Sequence, residues 1–164
     1  MSKVFLVVGP AGSGKTTFSK DLASREDAHI FSVDDWLNTL FMMDMPSEQP
    51  YKWARERAGR IEKQILSEAL KLLDKRLNVI LDLGFFSKEQ RKRVPEFIRS
   101  HGHEAITYFL DAEPLTRWER IEARDTAKTV TLNIPVTRDV FDFCETIFEP
   151  LDEEEKKRAM VYNG

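Results

Sequence analysis

The run Gly9-Pro10-Ala11-Gly12-Ser13-Gly14-Lys15-Thr16 places a glycine, four free positions and then Gly-Lys-Thr, the spacing of a phosphate-binding loop. Before it stands Val4-Phe5-Leu6-Val7-Val8, a short apolar run rich in β-branched residues that reads as a buried strand. After it, Thr16 to Ser24 reads as the opening turns of a helix. The glycine loop therefore joins a strand to a helix N-terminus, the context the motif requires. A glycine-rich turn with an incidental lysine is the plainer alternative, and the complete motif in this setting argues against it.

Residue chemistry explains what such a loop binds. Gly12 and Gly14 allow backbone conformations closed to residues with a Cβ. Successive N–H groups can then converge on an anion, and the helix adds its unpaired N–H groups and positive dipole end. Lys15 contributes a mobile charge for the terminal phosphates of a nucleotide, and Thr16 a hydroxyl suited to a magnesium ion. The nucleotide contacts are expected at Gly9, Ala11, Gly12, Ser13, Gly14, Lys15, Thr16 and Thr17.

The chain as a whole fits one soluble domain spanning 1–164. Its 164 residues are enough to bury a core, and 41% hydrophobic with 32% charged residues is ordinary globular composition. A formal net charge of -3 carries no basic excess of the kind that advertises a nucleic-acid partner. The single cysteine, Cys144, excludes an intrachain disulfide and makes a zinc site improbable. Met1-Ser2-Lys3 runs directly into the first strand, so no signal peptide is expected. No apolar run approaches the ~20 residues that cross a bilayer, and the expected compartment is the cytoplasm.

Strand and helix patterns alternate, which predicts a parallel sheet with helices on both faces. Residues 28–33 read as a second strand ending at Asp34-Asp35, with His29 at a strand edge. Trp36 to Met45 reads as a helix, and a long helix is predicted from about Tyr51 to Lys75 with Ile61, Ile65, Leu66, Ala69, Leu70, Leu72 and Leu73 on one face. Arg55, Arg57, Arg60 and Lys63 near its start read as a solvated face; an arginine holding a substrate anion is the alternative. Asn78-Val79-Ile80-Leu81-Asp82 is a strand ending in an acid, the pattern of a second magnesium position, so Asp82 joins Thr16 as a predicted Mg²⁺ residue. A capping role for that carboxylate is the alternative.

Ser87-Lys88-Glu89-Gln90 has capping-box spacing and should open a helix whose wet face carries Lys88, Arg91, Lys92 and Arg93. Gly102 should close it. Residues 104–110 read as a fourth strand and Leu115 to about Thr126 as a helix with Arg117, Arg120 and Arg124. Thr137 should cap a last helix running to Ile147, Asp152 to Arg158 reads as exposed, and Ala159 to Tyr162 as a fifth strand.

Taken together, the glycine loop, Asp34-Asp35, Val79-Ile80-Leu81-Asp82-Leu83-Gly84 and the arginine-bearing helix resemble small P-loop kinases. The pattern looks like the AAA_33 type of ATP-binding protein, related to polynucleotide 5′-kinases, chloramphenicol phosphotransferase and zeta toxins. Val136-Thr137, Phe141-Asp142 and Phe148-Glu149-Pro150 match its C-terminal pattern. The resemblance implies an α/β, three-layer P-loop NTPase fold with a five-stranded parallel sheet and a small helical lid at approximately 115–137. It also implies a general-base role for Asp34 and lid-arginine roles for Arg120 and Arg124. Polynucleotide kinases of this kind carry an arginine three positions after the base; Leu37 stands there, which disfavours a nucleic-acid end as acceptor.

The function expected is transfer of the γ-phosphoryl group of ATP, with Mg²⁺, to a hydroxyl on a small-molecule or nucleotide-type acceptor. Lys15, Asp34, Arg120 and Arg124 are the catalytic set. The alternative is a P-loop ATPase or nucleotide-dependent switch without an acceptor. Its GTPase version lacks Asn-Lys-x-Asp and Asp-x-x-Gly, and its transporter version lacks Leu-Ser-Gly-Gly-Gln.

Overall fold

A computed structural model describes residues 2–126 and 136–163. The elements in chain order are β1 (Lys3–Val8), α1 (Lys15–Glu26), β2 (Ala28–Ser32), α2 (Val33–Leu40), a 3-10 turn (Met42–Asp44), α3 (Pro50–Asp74), β3 (Asn78–Asp82), α4 (Lys88–Ser100), β4 (Glu104–Asp111), α5 (Pro114–Thr126), α6 (Arg138–Ile147), α7 (Glu153–Arg158) and β5 (Met160–Asn163). The strands form one sheet of order β2-β3-β1-β4-β5, and every pairing is parallel.

β1 lies at the centre because it can be buried on both faces. Val4 to Val8 are all at most 1% exposed. Their side chains alternate between two cores, as the pleat requires. Val4, Leu6 and Val8 join Val79, Leu81, Phe31 and Phe109 beneath the α3 stripe Ile61, Ile65, Leu66, Ala69 and Leu73 and the α4 residues Val94 and Ile98. Phe5 and Val7 join Ile80, Tyr108 and Leu110 against Leu22 of α1 and its neighbour Phe18. These are the three layers predicted. β2 and β5 form the edges, where His29 is exposed and Met160, Val161 and Tyr162 keep contact with water.

Several helix ends follow from their capping residues. Ser87 Oγ accepts the Gln90 N–H at 3.2 Å. Gln90 does not complete a capping box, because its amide donates to Glu62 and to the Leu83 carbonyl. Thr137 caps α6. Gly102 takes φ +82° just past α4, the left-handed turn predicted for it.

Two expectations are overturned here. Arg91 is not on a wet face: it occupies the core-facing stripe Arg91, Val94, Pro95 and Ile98 and is 8% exposed. Its guanidinium donates to Glu155 Oε1 at 2.8 Å and Oε2 at 3.2 Å, and to the Phe85 carbonyl at 3.1 Å. The run from Asp152 is correspondingly not simply exposed. Asp152 and Glu155 form a reciprocal capping box on α7, which aims Glu155 at Arg91. The physical reason is shared: a buried guanidinium needs a partner, and Glu155 supplies it from 64 positions away.

Candidate active site

In a parallel sheet all strands end on the same edge, and the loops there hold the ligand site. The glycine loop follows β1, Asp34 and Asp35 follow β2, and Asp82 ends β3. Three segments remote in sequence are thus brought to one edge.

The glycine loop has the geometry of an anion cradle. Gly12 and Gly14 take φ +76° and +91°. A Cβ on Gly12 would lie 2.5 Å from the Arg117 carbonyl oxygen of α5, so no larger residue fits against that helix. Gly14 is the N-cap of α1 and offers no side-chain cap. The first N–H groups of α1 therefore face outward without an intrahelical acceptor, beside the exposed Thr16 and Thr17. Ser13 Oγ is buried and lacks a hydrogen-bond partner among the described residues. Gly9 abuts that side chain: a Cβ there would meet Ser13 Oγ at 2.4 Å.

Lys15 Nζ folds back over the loop and donates to the carbonyls of Gly9 at 2.9 Å and Pro10 at 3.1 Å. Burial lowers its pKa, opposed by Asp82 and Asp34. Burial raises Asp82 to about 6, with Lys15 pulling it down and Asp34 and Asp35 pushing it up. Asp34 keeps an opening to solvent, while the crowding protein raises its carboxyl above the ordinary range against the pull of Lys15. Two carboxylates and one ammonium thus act on one another at this edge, Asp82 and Lys15 half-buried and Asp34 exposed. Oxygen donors of this kind suit a hard divalent cation, whose charge would offset the carboxylate crowding, and exposed Thr16 follows Lys15 directly in the chain.

The Asp34-Asp35 pair differs from expectation. The sequence places both aspartates at the end of the second strand, ahead of a helix over Trp36 to Met45. Instead α2 starts at Val33, and Ser32 Oγ caps it by accepting the Asp35 N–H at 3.2 Å. Both aspartates lie in the first turn, where the helix dipole favours a negative charge. Consecutive helical residues are about 100° apart rather than opposed, so Asp34 lies by Lys15 while Asp35 still acts on both Asp34 and Asp82. Leu37, at the position discussed above, packs against the core.

Arg120 and Arg124 are exposed on α5 and are absent from the charges acting on Lys15, Asp34 and Asp82. The arginine that does act on Lys15 is Arg117, one turn earlier and 3% exposed. It donates through Nε to the Ala112 carbonyl at 2.9 Å and through Nη1 to the Ala11 carbonyl at 3.0 Å. Its Nη1 and Nη2 also hold Glu145 of α6 at 2.7 and 2.8 Å. Arg117 thus ties the glycine loop, the turn that follows β4, and α6 together. The segment 127–135 within the predicted lid lies outside the described residues.

Two side chains at the site were not singled out from sequence. Arg117 carries a faint signal, because it is four residues before the buried Ile121 and so on the inward face of α5. Cys144 carries none: a lone cysteine speaks in sequence only to disulfides and zinc, yet it lies on α6 within electrostatic reach of Lys15 and Asp34, and burial raises its pKa.

Comparison with known proteins agrees with this geometry. A search of curated proteins gives no significant match. Among solved structures, a chain of the Pnkp1/Rnl/Hen1 RNA repair complex superposes with a TM-score of 0.68 at 22% identity, over 95% of this chain and 45% of the other. This protein therefore spans less than half of that chain. A sugar kinase from Janibacter sp. superposes with a TM-score of 0.65 at 14% identity, over 99% of this chain and 86% of the other. A gluconokinase from Sinorhizobium meliloti gives 0.61 at 15% identity, over 98% and 82%. These likenesses show a shared fold. The sequence itself matches the AAA_33 family, described as an AAA domain, over residues 4–151. With its P-loop cradle, parallel sheet and match over most of its length, the chain belongs to the AAA_33 family.

Proposed function

We propose that this protein is an ATP-dependent phosphotransferase that moves the γ-phosphoryl group of ATP to a hydroxyl of a small-molecule or nucleotide-type acceptor. The observation that carries the reading is the convergence of Lys15, Asp34 and Asp82 beside the glycine cradle. A pure phosphate-binding loop has no need of a carboxylate facing its lysine in the position of Asp34. Phosphoryl transfer has such a need, since the acceptor hydroxyl must lose a proton.

Each residue then has a role. The N–H groups of the loop and of α1 cradle the phosphates. Lys15 exchanges the Gly9 and Pro10 carbonyls for phosphate oxygens, which offsets the burial that otherwise lowers its pKa. Thr16 and Asp82 are the residues that would hold Mg²⁺. That ion, when bound, supplies charge neutralisation to the β- and γ-phosphates. Asp34 takes the acceptor proton as the acceptor oxygen bonds to the γ-phosphorus and the bond from that phosphorus to the bridging oxygen breaks, leaving ADP. Its raised pKa makes it a stronger base than an ordinary aspartate. Arg120 and Arg124 stabilise charge on the transferring group. A polynucleotide end is disfavoured because Leu37 offers no charge for the adjacent phosphate.

The test is ADP release with and without a panel of hydroxyl compounds, using wild type and Asp34→Asn. Acceptor-dependent turnover that Asn removes supports the proposal. Fast turnover without any acceptor, unchanged in Asp34→Asn, refutes it and favours an ATPase.

A further inference from the structure

Resting on the phosphotransferase reading, the geometry points to the chemical class of the acceptor: an uncharged alcohol with an aryl or alkyl body, held between α6 and the α2–α3 corner. The floor of this space is the site already described, since Cys144 on α6 acts on both Lys15 and Asp34. Cys144 belongs to a helical stripe with Val140, Phe143 and Ile147, at spacings of three and four residues. The Phe143 ring meets the Tyr51 ring of the first α3 turn edge-on, with centroids 4.6 Å apart. Despite that contact, Phe143 is 40%, Tyr51 43% and Val140 44% exposed, and Leu40 and Met43 of the corner are more exposed still. The helix stripe that carries Cys144 thus presents exposed aromatic and aliphatic surface beside the start of α3, and an acceptor body can lie against it.

The charges near it disfavour an anion. Three carboxylates, Asp34, Asp35 and Asp82, share the floor with Lys15, which the ATP phosphates engage. On the phosphotransferase reading Arg120 and Arg124 serve the transferring phosphoryl group, and three further guanidiniums are committed elsewhere. Arg57 lies 4.2 Å over Trp53 and donates to its carbonyl. Arg117 is bound by Glu145, and Arg138 pairs with Asp142 while lying 5.1 Å over Trp118. Exposed Lys52 and Arg55, in the first turns of α3, are the cations an anionic acceptor would have to recruit.

The experiment is calorimetric titration of the full chain, loaded with Mg²⁺ and a non-hydrolysable ATP analogue. The probes are phenyl β-D-glucoside and 2-phenylethanol, against gluconate and a 5′-hydroxyl oligonucleotide. The neutral aryl alcohols should bind. Phe143→Asp and Val140→Asp, both at exposed positions, should each weaken that binding at least about tenfold by placing a charge in the apolar wall. Affinity for the ATP analogue should not change in either variant. Failure of both aryl alcohols to bind an analogue-loaded protein overturns the acceptor class, as does binding indifferent to both variants. Preferential binding of gluconate or the oligonucleotide, lost in Arg55→Ala, overturns it as well. Failure of wild type to bind the ATP analogue is a different outcome, and it removes the phosphotransferase reading itself.

Discussion

Replacing Asp82 by asparagine should make this protein more stable while depriving it of activity. The carboxyl is raised from 3.8 to about 6, chiefly by burial. The folded state therefore holds this proton more tightly than the unfolded chain does. As pH rises, the unfolded chain ionises first, so stability falls across the interval from about 4 to 6 and stays lower above it. At about 1.36 kcal/mol per unit, the ionised carboxylate costs the fold about 3 kcal/mol at pH 7.5. Asparagine removes that cost, in which the attraction of Lys15 is already counted, but Asp82 is only half-buried and water screens part of it. A net gain of about 1–2 kcal/mol remains, or roughly 2–8 °C in Tm for a domain of this size. The assay is urea unfolding of both proteins at pH 7.5 and pH 4.5, without nucleotide or Mg²⁺. At pH 4.5 the cost of the wild-type carboxylate should fall to about a third of its pH 7.5 value, and the gain should shrink with it. Asparagine that destabilises at pH 7.5, or a gain independent of pH, would refute the argument. ATP-dependent transfer should meanwhile collapse, because asparagine is a poor magnesium ligand compared with a carboxylate.

Other substitutions separate the roles further. Lys15→Ala should weaken ATP binding and abolish transfer with the fold intact, measured by calorimetry and circular dichroism; normal turnover would remove the P-loop from the mechanism. Asp34→Asn should lower phosphoryl transfer by roughly 10²–10⁴-fold with ATP affinity near wild type, while Asp35→Asn costs much less; the reverse order in a transfer assay would make Asp35 the base. Arg124→Ala should mainly lower kcat, with Arg120→Ala similar or milder, and wild-type kcat in both would assign these arginines to the surface alone. Arg117→Met should raise the Kd for ATP and destabilise the chain by about 1–3 kcal/mol, because it leaves the Ala11 carbonyl without its donor and Glu145, which water still reaches, without its partner.

The glycine loop, the strand before it and the acid ending β3 were legible in sequence because each is local. Glycines at fixed offsets, a β-branched run and a terminal carboxylate state their own conformational needs. The five strands and the long helix likewise follow from periodicity. The start of α2 was displaced because Ser32, at the end of β2, competes successfully with the aspartates for the cap, and that moved the pair from an extended chain into a helical turn. Arg91 could have been recognised as an arginine inside an apolar stripe, but its partner could not. What only the tertiary structure decided is the company each side chain keeps. Glu155 reaches Arg91 across 64 residues and Glu145 reaches Arg117 across 28. Cys144 meets Lys15 across the fold. Desolvation and partnership depend on what surrounds a group in space, and a parallel sheet whose strand order is not its chain order places distant residues side by side.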